Sequence, residues 1–351
     1  MKILKYLFFL ILIFIIGASI YIATIKSDFV VERTRTFHAP QELVYSEVND
    51  YTTWRNWLPW AKSSGDMIIE YGEKTSGEGG SFSWRSDEIG EGDMKTIKAN
   101  PYSEFLQQLR IKTSLGQSVS EVYWEFEKQK DSTLITWGMR GEQSFMEKLA
   151  FIFHDQSVAE MMSPKFEEGL DNLENQIREK MQSYSINVDG ITQHSGGYYM
   201  YMATASRITQ VQDKIEAIFS DVNTYMEENS IERSGKPFVL YNQWNENQGT
   251  AIYSAGYFTP AQIITPEDSP ILSGFLPAQR VLKTTLKGDY SNLKEAWAAA
   301  YTYIDENGLI VDEESQAFEV YLTGPNDNAN PAKWVTQLYI PLQPEDTQEN
   351  D

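Results

Sequence analysis

Chemistry in this sequence has to come from aromatic rings, carboxylates and amides. The 351 residues include no cysteine and three histidines, His38, His154 and His194. Disulfides, thiolate metal sites and Cys nucleophiles are excluded, and a His-rich metal centre lacks ligands. His154 and Asp155 are a base and an acid by type. Adjacent residues on a helix do not face each other, so we read them as solvated helix surface. The GEGG run at Gly77–Gly80 lacks the helix start that would cradle a phosphate. No dinucleotide fingerprint, nucleophile elbow or metal motif occurs, and no cofactor is expected. What remains is aromatic: Trp54, Trp57 and Trp60 recur every three residues, and Trp84, Trp124 and Trp137 follow on strand-like segments. Such rings either fill a core or line a pocket for an apolar ligand, and their spacing leaves both readings open.

These residues sit behind an apolar N-terminus. Tyr6–Ile25 carries no charge and is flanked by Lys2, Lys5 and Lys26. It is long enough to span a bilayer and longer than the apolar part of a signal peptide, so we read an uncleaved single-pass anchor. The short basic tail before it points to a signal-anchor with the aqueous domains extracytoplasmic. Lys plus Arg total 29 against 50 Asp plus Glu, a net charge of −21, which disfavours nucleic acid as a partner.

The first aqueous region reads as a strand from Phe29, a helix after Pro40, several short strands and a helical stretch from Met146 to Gln182. Val122, Trp124 and Phe126 alternate onto one strand face, and Phe166, Leu170, Leu173 and Ile177 form one helix stripe. The runs TFHAPQELVYSEVNDYTTWRNWLPW and FEEGLDNLENQI resemble the SRPBCC (START-like, polyketide-cyclase-like) superfamily over Val30–Lys180. That resemblance implies a helix-grip fold with an apolar cavity between sheet and helix. It makes Trp54, Trp57 and Trp124 candidate ligand contacts.

The second region carries an internal repeat. YMEEN at Tyr225–Asn229 recurs as YIDEN at Tyr303–Asn307, and PFVLY at Pro237–Tyr241 recurs as AFEVY at Ala317–Tyr321. Each half reads strand, helix, strand, strand, with Pro260–Pro277 as the crossing loop. The runs YSNLKEAWAAAYTYIDENG, FEVYLTGP and WVTQLYIPL resemble the GyrI-like small-molecule-binding domain over Ile186–Gln343. That domain is also the effector-binding half of multidrug-sensing regulators, but no helix-turn-helix region precedes it here. The expected fold class is α+β: a transmembrane helix, a helix-grip antiparallel sheet domain and a duplicated strand-helix-strand-strand domain. The expected boundaries are an anchor over 1–27, domains over 28–182 and 186–343, and an acidic tail over 344–351.

The resemblance implies a groove whose ligand contacts are Tyr201, Tyr257, Tyr321 and Tyr339 on strands and Trp297 and Tyr301 on the second helix. Ile186–Asp351 holds 9 Lys and Arg against 23 Asp and Glu, and aromatic faces near a carboxylate suit hydrophobic cations. Relatives place a Glu where this chain has Gln337, which hydrogen-bonds but supplies no charge. Glu319 is the remaining strand carboxylate. Alternation puts Gln337 and Tyr339 on one face and Leu338 and Ile340 on the other, without saying which face is the groove. The expected function is a membrane-anchored protein that senses, sequesters or transfers a lipophilic small molecule. A hydrolase working in the same groove, or a non-catalytic interaction module, are the alternatives.

Overall fold

The computed structural model describes residues 2–113, 116–130, 132–152 and 156–344. His154, Asp155 and the tail after Pro344 lie outside the described residues. The chain divides into two compact units, Met1–Lys180 and Met181–Asp351.

The first unit starts with α1 (Lys2–Thr24), whose side chains are almost all exposed. It is long and apolar enough to cross a membrane. Then come β1 (Asp28–Phe37), α2 (Gln41–Asn49) and two short helices, α3 (Trp54–Trp57) and α4 (Pro59–Ser63). Six strands follow: β2 (Ile68–Tyr71), β3 (Ser81–Ser86), β4 (Gly90–Asn100), β5 (Glu104–Thr113), β6 (Gly116–Lys128) and β7 (Thr133–Glu142). They form one antiparallel sheet in the order β1-β7-β6-β5-β4-β3-β2, so the chain meanders and then closes back on its first strand. The stretch from Met146 is two helices, α5 (Phe145–Phe151) and α6 (Val158–Gln182). A capping box starts α5: Ser144 Oγ accepts from the Glu147 amide and Glu147 accepts from the Ser144 amide.

Helix α6 buries Phe166, Leu170, Leu173 and Ile177 on one stripe. Each such side chain contributes about 1.5–3 kcal/mol when fully buried. Phe166 stacks on Trp137 of β7 at 4.0 Å. Gly169 makes that approach possible, because a Cβ there would lie 2.6 Å from the Trp137 ring. At the edge, Arg33 and Arg35 of β1 pair with Glu167 at 2.6 and 2.8 Å, and Arg35 also pairs with Asp171.

The second unit contains β8 (Ser185–His194), β9 (Gly197–Arg207), α7 (Val211–Glu228), β10 (Pro237–Asn245), β11 (Thr250–Thr259), β12 (Leu272–Leu276), β13 (Gln279–Lys287), α8 (Leu293–Glu306), β14 (Phe318–Thr323) and β15 (Val335–Pro341). The repeat emerges as β9-α7-β10-β11 and β13-α8-β14-β15, joined where β10 pairs with β14. The Pro-rich segment read as a loop includes the strand β12.

The eight strands form one sheet in the order β12-β9-β11-β10-β14-β15-β13-β8. Only Ser195 and Gly196 separate β8, at one edge, from β9 near the other. Only Pro277 and Ala278 separate β12 from β13. Connections that short require the sheet to curl until its ends meet. Gly196 takes φ +67° at that crossing, and a Cβ there would lie 2.1 Å from the Leu276 carbonyl. The curl creates two buried faces. The inner one holds Phe238, Leu240, Phe318, Val320 and Tyr339. The outer one packs Ile215, Ile218 and Val222 of α7 against Val239 and Tyr253, and Ala296 and Ala300 of α8 against Leu338 and Ile340.

Candidate functional site

Glu319 is central to the second unit. It lies on β14, opposite Val239 of β10 and Leu338 of β15, so its side chain is on the outer face that carries both helices. It is 1% exposed. Three donors meet it: Trp297 Nε1 at 2.6 Å on one oxygen, and the Tyr321 and Tyr241 hydroxyls at 2.6 and 2.9 Å on the other. Burial pushes the carboxyl above its ordinary value, while the three hydrogen bonds favour the ionised form. Burial and the adjacent Glu319 push both tyrosine hydroxyls well above theirs, so they remain donors.

The ring of Tyr321 separates Glu319 from a groove of about 750 Å³. Phe219 of α7, Tyr257, Tyr290 and Tyr321 form its aromatic wall. Phe219 stands 5.7 Å from both Tyr257 and Tyr321, and Tyr290 stands edge-on to Tyr321 at 5.2 Å. Gly324 leaves room for Tyr290, whose hydroxyl would lie 2.5 Å from a Cβ at that position. Charge of both signs rims the groove, with Glu216 and Asp327 facing Arg233 and Lys236. The Tyr290 hydroxyl is pushed up by burial first and then by Glu216, Asp327, Glu319 and Asp289. That records a negative field at the groove floor. The Arg233 guanidinium sits 5.5 Å over the Tyr257 ring, so this wall already accepts a cation.

On its other side Glu319 is covered by a second aromatic group. Trp297 stacks on Tyr301 at 6.2 Å and receives Tyr241 edge-on at 5.9 Å. A bulge at Asn242 shifts the phase of β10, which brings Trp244 onto the face of Tyr241, 5.6 Å away. Trp244 and Tyr301 are each 45% exposed.

The first unit holds an apolar cavity of about 190 Å³ between the sheet and α6. Trp54, Trp60, Trp84 and Trp137 line it with Met67, Met94, Met139 and Met162. Among the described residues the buried indole N–H groups of Trp84 and Trp137 have no acceptor. Trp57 and Trp124 are fully buried behind the lining. Trp124 stacks on Trp137 at 4.7 Å, and Trp57 stands perpendicular to Trp124 at 5.9 Å. The Trp124 indole donates to Gln107 at 3.2 Å, Gln107 donates to the Tyr51 hydroxyl at 2.9 Å, and Tyr51 meets Thr96 at 2.8 Å. Among the described residues no cluster of three or more His, Asp or Glu could hold a metal ion.

The family model described as a GyrI-like small molecule binding domain matches residues 160–343, just over half of the chain. The chain belongs to the GyrI-like family. The model described as polyketide cyclase / dehydrase and lipid transport matches residues 28–178, so an SRPBCC-like domain precedes the GyrI-like one. Both are small-molecule-binding families. No curated protein matches. Among solved structures, the EcmrR–DNA complex is similar at 13% identity and a TM-score of 0.40, over 58% of this chain and 87% of that one. CV1439 from Chromobacterium violaceum is similar at 13% identity and 0.33, over 42% and 96%. The hypothetical protein jhp0584 from Helicobacter pylori is similar at 14% and 0.35, over 43% and 89%. These likenesses are too slight to bear on function.

Within the GyrI-like domain, the structure brings together Glu319, Tyr321 and Trp297 directly, with Tyr301 stacked beside them and Tyr257 across the groove. It puts Gln337, Tyr339 and Tyr201 elsewhere. Gln337 pairs with Val320 and Tyr339 with Phe318, on the inner face. Tyr339 stacks on Phe318 at 4.7 Å, lies 5.1 Å from His194, and donates its hydroxyl to Gln337 at 2.7 Å. Tyr201 packs against Tyr199 on that side. Alternation correctly separates these residues from Leu338 and Ile340, but the curled sheet has two buried faces and the helices cover the other one. The Glu-to-Gln departure at position 337 therefore leaves the outer groove's charge untouched. In the first unit Trp54 lines the cavity, while Trp57 and Trp124 support it from behind. Sequence reasoning missed Tyr241, Phe219 and Tyr290. Tyr241 was reachable, because the repeat aligns it with Tyr321; the other two have no counterpart signal.

Proposed function

We propose that this chain is a membrane-tethered receptor for lipophilic small molecules, and that its principal ligand is an amphipathic cation held in the groove of the second unit. The observation that carries this is the buried Glu319 carboxylate, gripped by Trp297, Tyr241 and Tyr321 behind an aromatic wall. A carboxylate so covered is a fixed negative charge in a low-dielectric setting, where attraction to a nearby cation is much stronger than in water. The surrounding rings add cation–π contacts of about 0.5–2 kcal/mol each. A cationic ligand would displace Arg233 from Tyr257 and gain the field that Tyr290 reports. The N-terminal helix supplies the tether, with residues 28–182 and 186–343 as the two binding domains on the extracytoplasmic side.

A thermal-shift comparison tests this reading. The full chain in detergent is heated with tetraphenylphosphonium, with a fatty acid and with a neutral sterol. Selective stabilisation by the cation, lost in Glu319→Gln, is the expected result. A ligand at 100 times its dissociation constant stabilises by about 2.7 kcal/mol, enough to register. Stabilisation by the neutral compounds alone would move the principal site to the cavity of the first unit. No response to any probe would overturn the receptor reading.

A further inference from the structure

The chain after α1 is arranged around the end of that helix. Tyr6 and Tyr21 lie near the two ends of its apolar run, roughly 22 Å apart at helical rise, where tyrosines sit at membrane interfaces. β1 begins at Asp28, four residues after α1 ends, and it pairs with the end of β7: Asp28 is opposite Glu142. The step from β7 leads straight into α5. Lys148 of α5 donates to the Ile25 carbonyl at 2.8 Å, tying α5 to the exit of α1.

Helix α5 has no buried residue, although its sequence is FMEKLAF. Phe145 and Met146 are 43% and 44% exposed, and Ile152, which follows, is exposed as well. An apolar helix left bare against a segment able to span a bilayer is a face that lacks only its apolar solvent.

The cavity of the first unit lies at the same end of the sheet. Its lining residues Met139, Ile111 and Trp84 sit near the ends of β7, β5 and β3 that flank the start of β1; Met139 is opposite Val31 and Val122. Ile89 comes from the β3–β4 turn, and Met162 from the first turns of α6, just past α5. These rim positions are only partly buried, whereas the deeper Trp54, Phe82 and Trp137 are buried.

We infer that the α1 end of the first unit is a membrane-facing surface: α5 lies in the lipid interface, and the cavity opens toward the bilayer and exchanges its ligand with the lipid phase. The inference rests on reading α1 as an anchor. It adds an interfacial helix and an entry route.

The chain has no cysteine, so single reporters can be placed without background. An environment-sensitive NBD label is attached to I11C in α1, M146C in α5, I89C at the rim and K130C in the β6–β7 turn at the far end of the sheet. Each full-length variant is reconstituted in phosphatidylcholine–phosphatidylglycerol vesicles, with and without doxyl-labelled lipid. The expected result is blue-shifted, doxyl-quenched emission at positions 11, 146 and 89, and no quenching at 130. Quenching at 11 with none at 146 and 89 would refute the membrane-facing surface while leaving the anchor standing. Quenching at 146 but not 89 would refute the entry route. No quenching at 11 would overturn the anchor reading and the inference together.

Discussion

Trp297→Phe isolates the grip on Glu319. The change keeps an aromatic ring on α8 but removes the N–H that donates to the carboxylate at 2.6 Å. With Glu319 1% exposed, water cannot replace that donor. A hydrogen bond to a charged group contributes about 1.5–3 kcal/mol, and a neutral one about 0.5–1.5 kcal/mol. Trp297→Phe should therefore cost about 1 kcal/mol more in the wild-type background than in Glu319→Gln, where the acceptor is an uncharged amide. The packing lost with the smaller ring is common to both backgrounds and cancels in the double-mutant cycle. In a unit of this size each 1 kcal/mol lowers the midpoint by about 2–4 °C. The assay is denaturant unfolding of the four variants, with hydrogen exchange of the 318–323 amides reporting the second unit by itself. A coupling energy indistinguishable from zero would show that the indole does not hold an ionised carboxylate, and the charge argument for the groove would fall with it.

Other consequences are sharper in sign than in size. Burial raises the Glu319 carboxyl, so the stability it contributes is fully present below its unfolded value and is lost as pH rises through its folded value. Glu319→Gln does not titrate, so its stability relative to wild type should rise with pH; a pH series of denaturation midpoints showing the reverse trend would contradict this. Tyr339→Phe removes only the inner-face hydrogen bond to Gln337 and should cost about 0.5–1.5 kcal/mol without changing affinity for tetraphenylphosphonium, whereas Tyr321→Phe should weaken it; calorimetric titration separates the two. Gly169→Ala would place a Cβ 2.6 Å from Trp137 and drive that ring toward the cavity. An overpacking cost of about 1–3 kcal/mol should appear in the first unit's unfolding, together with reduced uptake of apolar ligands.

Much of this architecture is legible in the sequence because its elements carry strong periodicity. The stripe Phe166–Leu170–Leu173–Ile177 and the alternation Val122–Trp124–Phe126 are buried as their spacing dictates. The repeat of PFVLY and AFEVY places β10 and β14 side by side, and with them Tyr241 and Tyr321 on one carboxylate. Which face of β15 meets the helices is not legible, because Leu338–Ile340 and Phe318–Tyr339 both belong to buried faces of a sheet that curls on itself. Trp244 is hidden for a related reason: a one-residue bulge at Asn242 overrides simple alternation. The cavity tryptophans cannot be sorted from spacing alone. Trp54 and Trp57 share a helical turn, yet one reaches the cavity and the other packs against Trp124 and Trp137.

The most direct measurement is calorimetric titration of tetraphenylphosphonium into the full chain and into Glu319→Gln. Binding by the wild type that weakens tenfold or more in Glu319→Gln, about 1.4 kcal/mol or above, is the expected result. Equal affinity for the two proteins would mean that Glu319 only holds the groove's tyrosines in place and takes no part in recognising charge.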